Sequence, residues 1–259
     1  MTPNEIIFLM YHEIRMPHRN LCRSDDGYRR YAVDLADFKA QLAYLKQSGF
    51  TAYSVGDALD LKCHPCGVVY TFDDGCETDL IKAAPLLREL GFNATFYIVA
   101  GFVGHAGYLF PSQLRELADL GFEIGSHSMT HAFLTDLNHQ QLRDEVVGSK
   151  ESIEQIIGKR VDHFSCPGGR WNIKVSRVAQ SAGYRSVATS VVGANSPQSD
   201  PFQLCRIPVL ANTGIGEFAE LISGKGLFRR RLRSDILRAA KWSLGDQLYD
   251  KIHRVVHFR

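Results

Sequence analysis

Apolar segments typical of β-strands alternate along this chain with segments of helical periodicity, and this alternation constrains the fold most. Strands separated by helices form parallel βαβ units. Seven to eight such units within 259 residues predict a closed or nearly closed, TIM-like (β/α) barrel of parallel strands rather than an open sheet. The candidate strands are residues 6–12, 50–55, 68–72, 93–99, 122–125, 161–166, 186–189 and 204–210.

Barrels of this kind carry their functional residues at the carboxyl ends of the strands. Several candidate strands of this chain end in polar residues, which are therefore expected on one rim. These residues are His12, Asp73 and Asp74, His127 and His131, the segment 167–170, and Arg206. The shared position predicts an active site at that rim.

Two adjacent carboxylates, Asp73 and Asp74, stand at the end of the third candidate strand. With Gly75 they would also suit a simple turn, but close carboxylates repel each other unless a cation or a shared proton offsets them. His127 and His131 are four residues apart, so both imidazoles can face one cation, although they can also merely hydrogen-bond within a polar turn. One aspartate and two histidines leave open positions on a metal, as in catalytic sites. The second aspartate is then available to take a proton from water.

Together, the two motifs resemble those of a known family. Thr71-Phe-Asp-Asp-Gly75 and His127-Ser-Met-Thr-His131, in this order and separation, are similar to the first two motifs of the polysaccharide deacetylases, carbohydrate esterase family 4. The resemblance to this family, defined by the NodB or chitooligosaccharide deacetylase homology domain, covers residues 6–210 and implies a distorted (β/α) barrel. It further implies that Asp73 is the base on a metal-bound water and that the metal ligands are Asp74, His127 and His131.

The activity implied by the resemblance is that of a metal-dependent carbohydrate N-deacetylase. Such a hydrolase removes an N-acetyl or other N-acyl group from an amino sugar in a polysaccharide, an oligosaccharide or a lipid-linked glycan. Zinc is the default metal for one aspartate and two histidines, and cobalt, nickel or iron would fit the same ligands. Two alternatives remain open: an amidohydrolase acting on a non-sugar cyclic imide or amide, and a glycan-binding protein that keeps the metal pocket with weak turnover.

The third motif of the family, usually Phe-Arg-x-Pro-Tyr-Gly, is altered in this chain. Residues 164–169 read Phe-Ser-Cys-Pro-Gly-Gly, so Ser165 stands where the family has the arginine that orients the base. Arg170 comes directly after this segment, and a Pro-Gly-Gly turn aims the backbone sharply. We hypothesise that Arg170 swings back to pair with Asp73; the alternative is a solvated loop arginine.

The same turn is expected to contact the substrate. Pro167, Gly168 and Trp171 are its candidate substrate-binding residues, with Trp171 as an aromatic wall facing the sugar. The alternative places Trp171 in the core.

No counterpart of the C-terminal Leu-x-His motif, which carries the general acid in the family, is visible in the sequence. The corresponding segment, residues 204–210, contains Arg206 and no histidine. We hypothesise that His12, at the end of the first strand, replaces the acid or binds substrate; the alternative is a polar cap on that strand. Arg206 is expected to bind a substrate group such as a sugar phosphate, to pair with Asp73, or to neutralise a carboxylate such as Asp200.

Charge is distributed unevenly along the chain. The net charge of +2 does not suggest a nucleic-acid binder, but the segment from Lys225 onward is strongly basic. We therefore predict two units, a barrel over residues 1–224 and a basic amphipathic helical tail over residues 225–259. Such helices often lie on anionic membranes, so peripheral contact with the inner membrane face is one expectation. A solvated helix packed on the barrel is the other.

The N-terminal residues lack the basic start and apolar segment of a signal peptide, and no apolar run approaches the roughly 20 residues that span a bilayer. These features predict a cytoplasmic protein with reduced thiols. Cys63-His-Pro-Cys66 has zinc-knuckle or redox spacing, but no second pair of ligands accompanies it in the sequence. A loop entering the next strand is the favoured interpretation of these four residues.

Overall fold

Parallel strands form the main sheet of the protein. The computed structural model describes residues 5–60 and 67–232, and within these ranges the sheet has eight strands whose pairings are all parallel. The strands of the molecule are β1 (Ile7–Tyr11), β2 (Ile14–Arg15), β3 (Val33–Asp34), β4 (Thr51–Tyr53), β5 (Gly67–Phe72), β6 (Thr95–Ile98), β7 (Glu123–Ser126), β8 (His163–Ser165), β9 (Ser186–Ala188) and β10 (Ile207–Pro208). Strands β2 and β3 form a separate pair.

The strands of the main sheet follow the order β10-β1-β5-β6-β7-β8-β9, and β4 pairs with the first half of β5. The sheet curls until its two end strands, β9 and β10, come together through residues 204–207, a segment that we call the seam. Leu204 bridges to Ala188 of β9, and Ile207 pairs with Leu9 of β1. The predicted TIM-like barrel of seven to eight parallel strands is thus confirmed. It is distorted because β5 pairs first with β4 and then, from Thr71, with β6.

Helices come after most strands and cover the outside of the sheet. They are α1 (Asp26–Arg29), α2 (Leu35–Gln47), α3 (Val55–Asp60), α4 (Ala84–Glu89), α5 (Pro111–Asp119), α6 (His139–Arg143), α7 (Ser149–Ile157), α8 (Ile173–Ser181) and α9 (Ile215–Ile222). Burial of their apolar faces against the strands produces one large core that includes Tyr11, Phe38, Phe72, Phe96 and Phe164. This packing is the main stabilising contribution to the fold.

The strand predicted over residues 50–55 is shorter in the structure. It ends at Tyr53 because Ser54 and Asp57 cap the helix α3 reciprocally. The Asp57 amide donates to Ser54 Oγ at 3.1 Å, and the Ser54 amide donates to Asp57 Oδ2 at 3.0 Å. This exchange is a capping box, which starts a helix.

Only part of the predicted tail falls within the described residues. Residues 227–232 are helical, whereas the rest of the tail and the Cys63-His-Pro-Cys66 segment lie outside the described residues. The domain boundary at residue 224 stays a prediction. Across residues 5–60 and 67–232, no helix combines the length and apolar character needed to cross a membrane.

Candidate active site

The two adjacent carboxylates lie at the carboxyl end of β5, as the strand pattern predicts. The Asp73 amide donates to the carbonyl oxygen of Tyr11 at 3.0 Å, so this residue continues the pairing of β5 with β1. Asp74 (φ 82°) and Gly75 (φ 77°) then adopt left-handed conformations. Aspartate tolerates this conformation better than most residues, and a non-glycine residue in it stores of order 1–3 kcal/mol of strain. Both aspartates are 2% exposed.

The two histidines lie on a tight bend after β7 and not on a helix. Ser128 (φ 70°) and His131 (φ 62°) are both left-handed, and the His131 amide donates to Ser128 Oγ at 3.0 Å. Glu145 holds the bend from outside, because its Oε2 accepts from the amides of Met129 and Thr130 at 2.9 Å each. The spacing of four residues therefore brings the imidazoles together through a bend.

Asp74, His127 and His131 converge on one point. Their donor atoms all lie within 4.8 Å of one another, and Asp74 Oδ1 is 3.7 Å from His127 Nε2 and 3.4 Å from His131 Nε2. His127 Nδ1 lies 2.9 Å from the carbonyl oxygen of Ser165, which can only accept, so Nδ1 carries the proton and Nε2 offers a lone pair.

The protonation states of these three groups suit a bound cation. Burial, with Asp73 alongside, raises the pKa of Asp74 to about 6. Burial lowers the pKa of His127 to about 3 and also lowers the pKa of His131, so both imidazoles are neutral at pH 7 and can act as ligands. Among the described residues, buried Asp74 Oδ1 has no hydrogen-bond partner. A divalent cation would satisfy that oxygen, and one carboxylate with two imidazoles is a donor set suited to zinc.

Asp73 is held by a fully buried arginine. Arg206 Nη1 donates to Asp73 Oδ1 at 2.7 Å and Nη2 donates to Oδ2 at 2.8 Å, a bidentate pair. Further bonds join Arg206 to Thr189 O, Thr71 Oγ1 and Ser165 Oγ at 2.9, 3.2 and 2.8 Å. Burial alone would raise the pKa of Asp73, but the guanidinium outweighs it and holds that pKa well below the usual carboxyl range. Asp73 is therefore ionised at neutral pH.

Comparisons with known proteins find similarity to one family. The family model described as "Polysaccharide deacetylase" matches residues 62–187. The Bacillus subtilis protein YxkH is 28% identical over 226 residues, which cover 84% of this chain and 77% of YxkH. Residues 62–187 thus form a polysaccharide deacetylase domain.

Two further relatives of this polysaccharide deacetylase domain are similar in sequence or in fold. The peptidoglycan-N-acetylglucosamine deacetylase of Bacillus cereus is 32% identical over 124 residues, which are 48% of this chain and 56% of that enzyme. The Streptococcus pyogenes deacetylase PplD, solved in complex with acetate, superimposes with a TM-score of 0.74 at 25% identity. That match covers 85% of this chain and 99% of PplD.

The hypothesis that Arg170 pairs with Asp73 is wrong. Arg170 lies on the outer loop, where its guanidinium is 3.8 Å from the centre of the Phe133 ring and Nη1 is 3.4 Å from Asp136 Oδ2. The guanidinium beside Asp73 belongs to Arg206 instead. The turn after β8 carries Arg170 outward, since Gly168 and Gly169 both adopt left-handed conformations.

The predicted substrate-binding role of Arg206 is also wrong. It is 0% exposed, so it cannot contact a substrate, and of the three roles compatible with the sequence the structure shows the pairing with Asp73. Asp200 bonds instead to the amide of Phe202. The sequence signal for this pairing is an arginine within an otherwise apolar segment, because buried arginines require an anionic partner.

The remaining candidate residues surround this centre to different extents. His12 is half-buried, its Nδ1 has no hydrogen-bond partner among the described residues, and it is close enough to Asp73 and Asp74 to interact with both electrostatically. Trp171 is half-buried and packs against the main core, as the core alternative expects. Pro167 is buried and Gly168 is exposed on the same turn. The catalytic or substrate-binding roles of these four residues stay predictions.

Proposed function

We propose that this protein is a metal-dependent hydrolase that removes an N-acetyl group from an amino sugar within a glycan. One observation supports the proposal most: an ionised carboxylate, Asp73, lies beside the cation-binding group. Asp73 Oδ2 is 3.8 Å from His127 Nε2, and since His127 is neutral this contact is not an ion pair. A base and a cation site thus share one small volume, as metal-assisted hydrolysis requires.

Asp73 is the base in the proposed reaction. Water attacks the acyl carbon, its proton passes to Asp73, and the C–N bond breaks to leave acetate and the free amine. Arg206 keeps Asp73 ionised before the transfer and fixes the orientation of its carboxylate. A divalent cation held by Asp74, His127 and His131 would polarise the acyl carbonyl and lower the pKa of the attacking water.

The test is release of acetate from N-acetylglucosamine oligomers by the purified chain. We expect turnover that is lost after treatment with a chelator and restored by zinc, because removal of the cation leaves the carbonyl unpolarised. Cobalt, nickel and iron tested in parallel would identify the preferred metal. Turnover of cyclic imides alone would favour the amidohydrolase alternative, and metal and glycan binding without acetate release would favour the binding protein.

We propose His12 as the general acid that protonates the leaving amine. His12 Nδ1 has no hydrogen-bond partner in the described part of the chain, which supports this role. Burial lowers the pKa of His12. The charges of Asp73 and Asp74 raise this pKa, and those of Arg206 and His131 lower it further. An acid must be protonated, so activity should fall as pH rises through a value below the usual histidine pKa of about 6.5. The His12→Asn variant should lose this alkaline limb of the pH–rate profile. Retention of both limbs and of the wild-type rate would exclude His12 as the acid.

We further propose that the basic tail holds the protein, as a cytoplasmic enzyme, against an anionic membrane. Phe228 and Leu232 are 79% and 51% exposed, and the neighbouring Arg229 and Arg231 are exposed as well, which supports an apolar and cationic surface. Sedimentation with anionic liposomes should be strong for the full chain and weak after truncation at Lys225. An Arg229→Glu/Arg231→Glu variant should also bind weakly. Equal sedimentation of all three proteins would contradict the proposal.

A further inference from the structure

A second group of metal-binding side chains lies close to the segment after Asp74. The donor atoms of Glu13, Cys22 and Cys76 all lie within 4.8 Å of one another. Glu13 is 1% exposed and Cys76 is fully buried, whereas Cys22 is half-buried and provides access from solvent. None of these three residues takes part in the proposed hydrolysis.

Specific contacts hold the three groups in place. Glu13 Oε2 accepts from the Cys22 amide at 2.9 Å and from the Tyr28 hydroxyl at 3.1 Å. The same hydroxyl lies 3.1 Å from Cys76 Sγ, and Cys22 Sγ donates to the carbonyl oxygen of Gly107 at 2.9 Å. One carboxylate and two thiols are therefore fixed around a common point by residues from several loops.

A buried carboxyl group adjoins this cluster. Asp79 is 0% exposed, and neither of its side-chain oxygens makes a hydrogen bond with any residue that the structure describes. Its amide donates to the carbonyl oxygen of Cys76 at 3.0 Å. Burial raises its pKa well above the usual range, with further contributions from Cys22 and Glu13. A buried carboxyl group without hydrogen bonds costs free energy, and a nearby cation would offset that cost.

We propose that Glu13, Cys22 and Cys76 bind a second divalent cation of the zinc class, separate from the cation at Asp74, His127 and His131. Two sulfur donors with one carboxylate favour zinc over magnesium or calcium, which prefer oxygen donors alone. On binding, the two thiols release their protons to solvent and form two metal–sulfur bonds, and the carboxylate forms one metal–oxygen bond. Asp79 or water fills the fourth position.

The site would brace the loop that carries the catalytic carboxylates. Cys76 lies two residues beyond Asp74, and Cys22 lies on the segment between β2 and α1. A cation that joins them links this outer segment to the turn after β5. The role is structural, since the Asp73 carboxylate is bonded to Arg206 and Ser165 and to none of the three proposed ligands of the second site.

Cobalt(II) distinguishes the two sites by spectroscopy. The full chain, stripped of metal and kept reduced with a phosphine, is titrated with cobalt(II) alone. Thiolate-to-cobalt charge transfer in the near ultraviolet can come only from a site with cysteine ligands, so the site at Asp74 makes no contribution. We expect this band to appear and to saturate, with two cobalt ions bound per chain.

Matched variants assign the band to its ligands. Cys22→Ser, on a half-buried loop, should abolish the band and reduce the stoichiometry by one cobalt ion, with an unchanged far-ultraviolet circular dichroism spectrum as the control for folding. Glu13→Gln should shift the band and weaken cobalt binding without loss of a thiol. A Cys63→Ser/Cys66→Ser variant should keep the band. Absence of the band in the wild type, its retention in Cys22→Ser, or its loss in Cys63→Ser/Cys66→Ser would overturn the proposal.

Discussion

Replacing Asp73 with asparagine is expected to lower kcat for acetate release by about 10²–10⁴-fold, the usual contribution of a general base. Asparagine keeps the shape of the side chain but cannot take the proton. Metal content should stay unchanged, because the proposed ligands Asp74, His127 and His131 are intact. The measurements are steady-state kinetics on an N-acetylglucosamine oligomer and metal analysis of the same sample.

The matched control for Asp73→Asn is Asp74→Asn. That variant should lose bound metal together with activity, since it removes the carboxylate ligand, whereas Asp73→Asn should lose activity and keep its metal. If only Asp74→Asn loses its metal while both variants lose activity, the two adjacent and equally buried residues have different roles, with Asp73 as the base and Asp74 as the ligand. An Asp73→Asn enzyme within about tenfold of the wild-type kcat would show that Asp73 is not the base.

Replacing Arg206 with methionine is expected to lower the free energy of unfolding by about 3–5 kcal/mol at neutral pH, as removal of one partner from a buried ion pair does. The substitution leaves the Asp73 carboxylate buried without a counter-charge. Burial then raises the pKa of Asp73, so the acidic limb of the pH–rate profile should move to higher pH. Urea unfolding and pH-dependent kinetics measure the two effects.

The loss of unfolding free energy in Arg206→Met should also depend on pH. In the wild type the pKa of Asp73 is depressed by folding, so the stability it contributes is present above the unfolded value of about 3.9 and is lost as pH falls through the lower folded value. In the variant, Asp73 becomes protonated on acidification, which removes the free-energy cost of a buried, unpaired charge. The difference in unfolding free energy between the two proteins should therefore shrink as pH falls, first through the raised pKa of Asp73 in the variant and then, below about pH 4, as the wild type loses its own contribution.

Arg170→Met serves as the control for the same experiment. Position in the chain favours Arg170 as the arginine that holds Asp73, but the two side chains of its ion pair with Asp136 are 32% and 60% exposed, and exposed ion pairs contribute about 1 kcal/mol or less. We expect a small, nearly pH-independent change in unfolding free energy. If Arg170→Met lowered the unfolding free energy as much as Arg206→Met, this result would contradict the assignment of Arg206 as the arginine that holds Asp73.

Local sequence patterns are sufficient to predict the strands and the meeting of the four residues for which we propose a role in hydrolysis. Asp73, Asp74, His127 and His131 lie in short motifs directly after strands, and parallel strands in a barrel bring their carboxyl ends to one rim. The prediction that these four residues meet needs no knowledge of side-chain contacts. The bend that brings the two histidines together is not predictable in the same way, because a spacing of four suits both a helical turn and a tight loop.

The partner of Asp73 cannot be assigned from its neighbours in the chain. Arg170 is close to the altered third motif, whereas Arg206 is separated from Asp73 by 133 positions. The two arginines differ in their backbone surroundings: a Pro-Gly-Gly turn leads Arg170 out to solvent, and the seam of the barrel holds Arg206 inside. Likewise, Glu13, Cys22 and Cys76 share no motif, and only folding brings their donor atoms within 4.8 Å.

The sequence by itself determined the class of fold and the position of two aspartates and two histidines at one rim, and it led to the expectation that one aspartate is a base and the other a metal ligand. The tertiary structure alone decided which arginine holds Asp73. The physical reason is burial: a guanidinium can lie inside a protein only against an anion, and which arginine is buried depends on how the sheet curls. Within the seam, Arg206 lies between the contacts with β9 and β1, where Asp73 meets it.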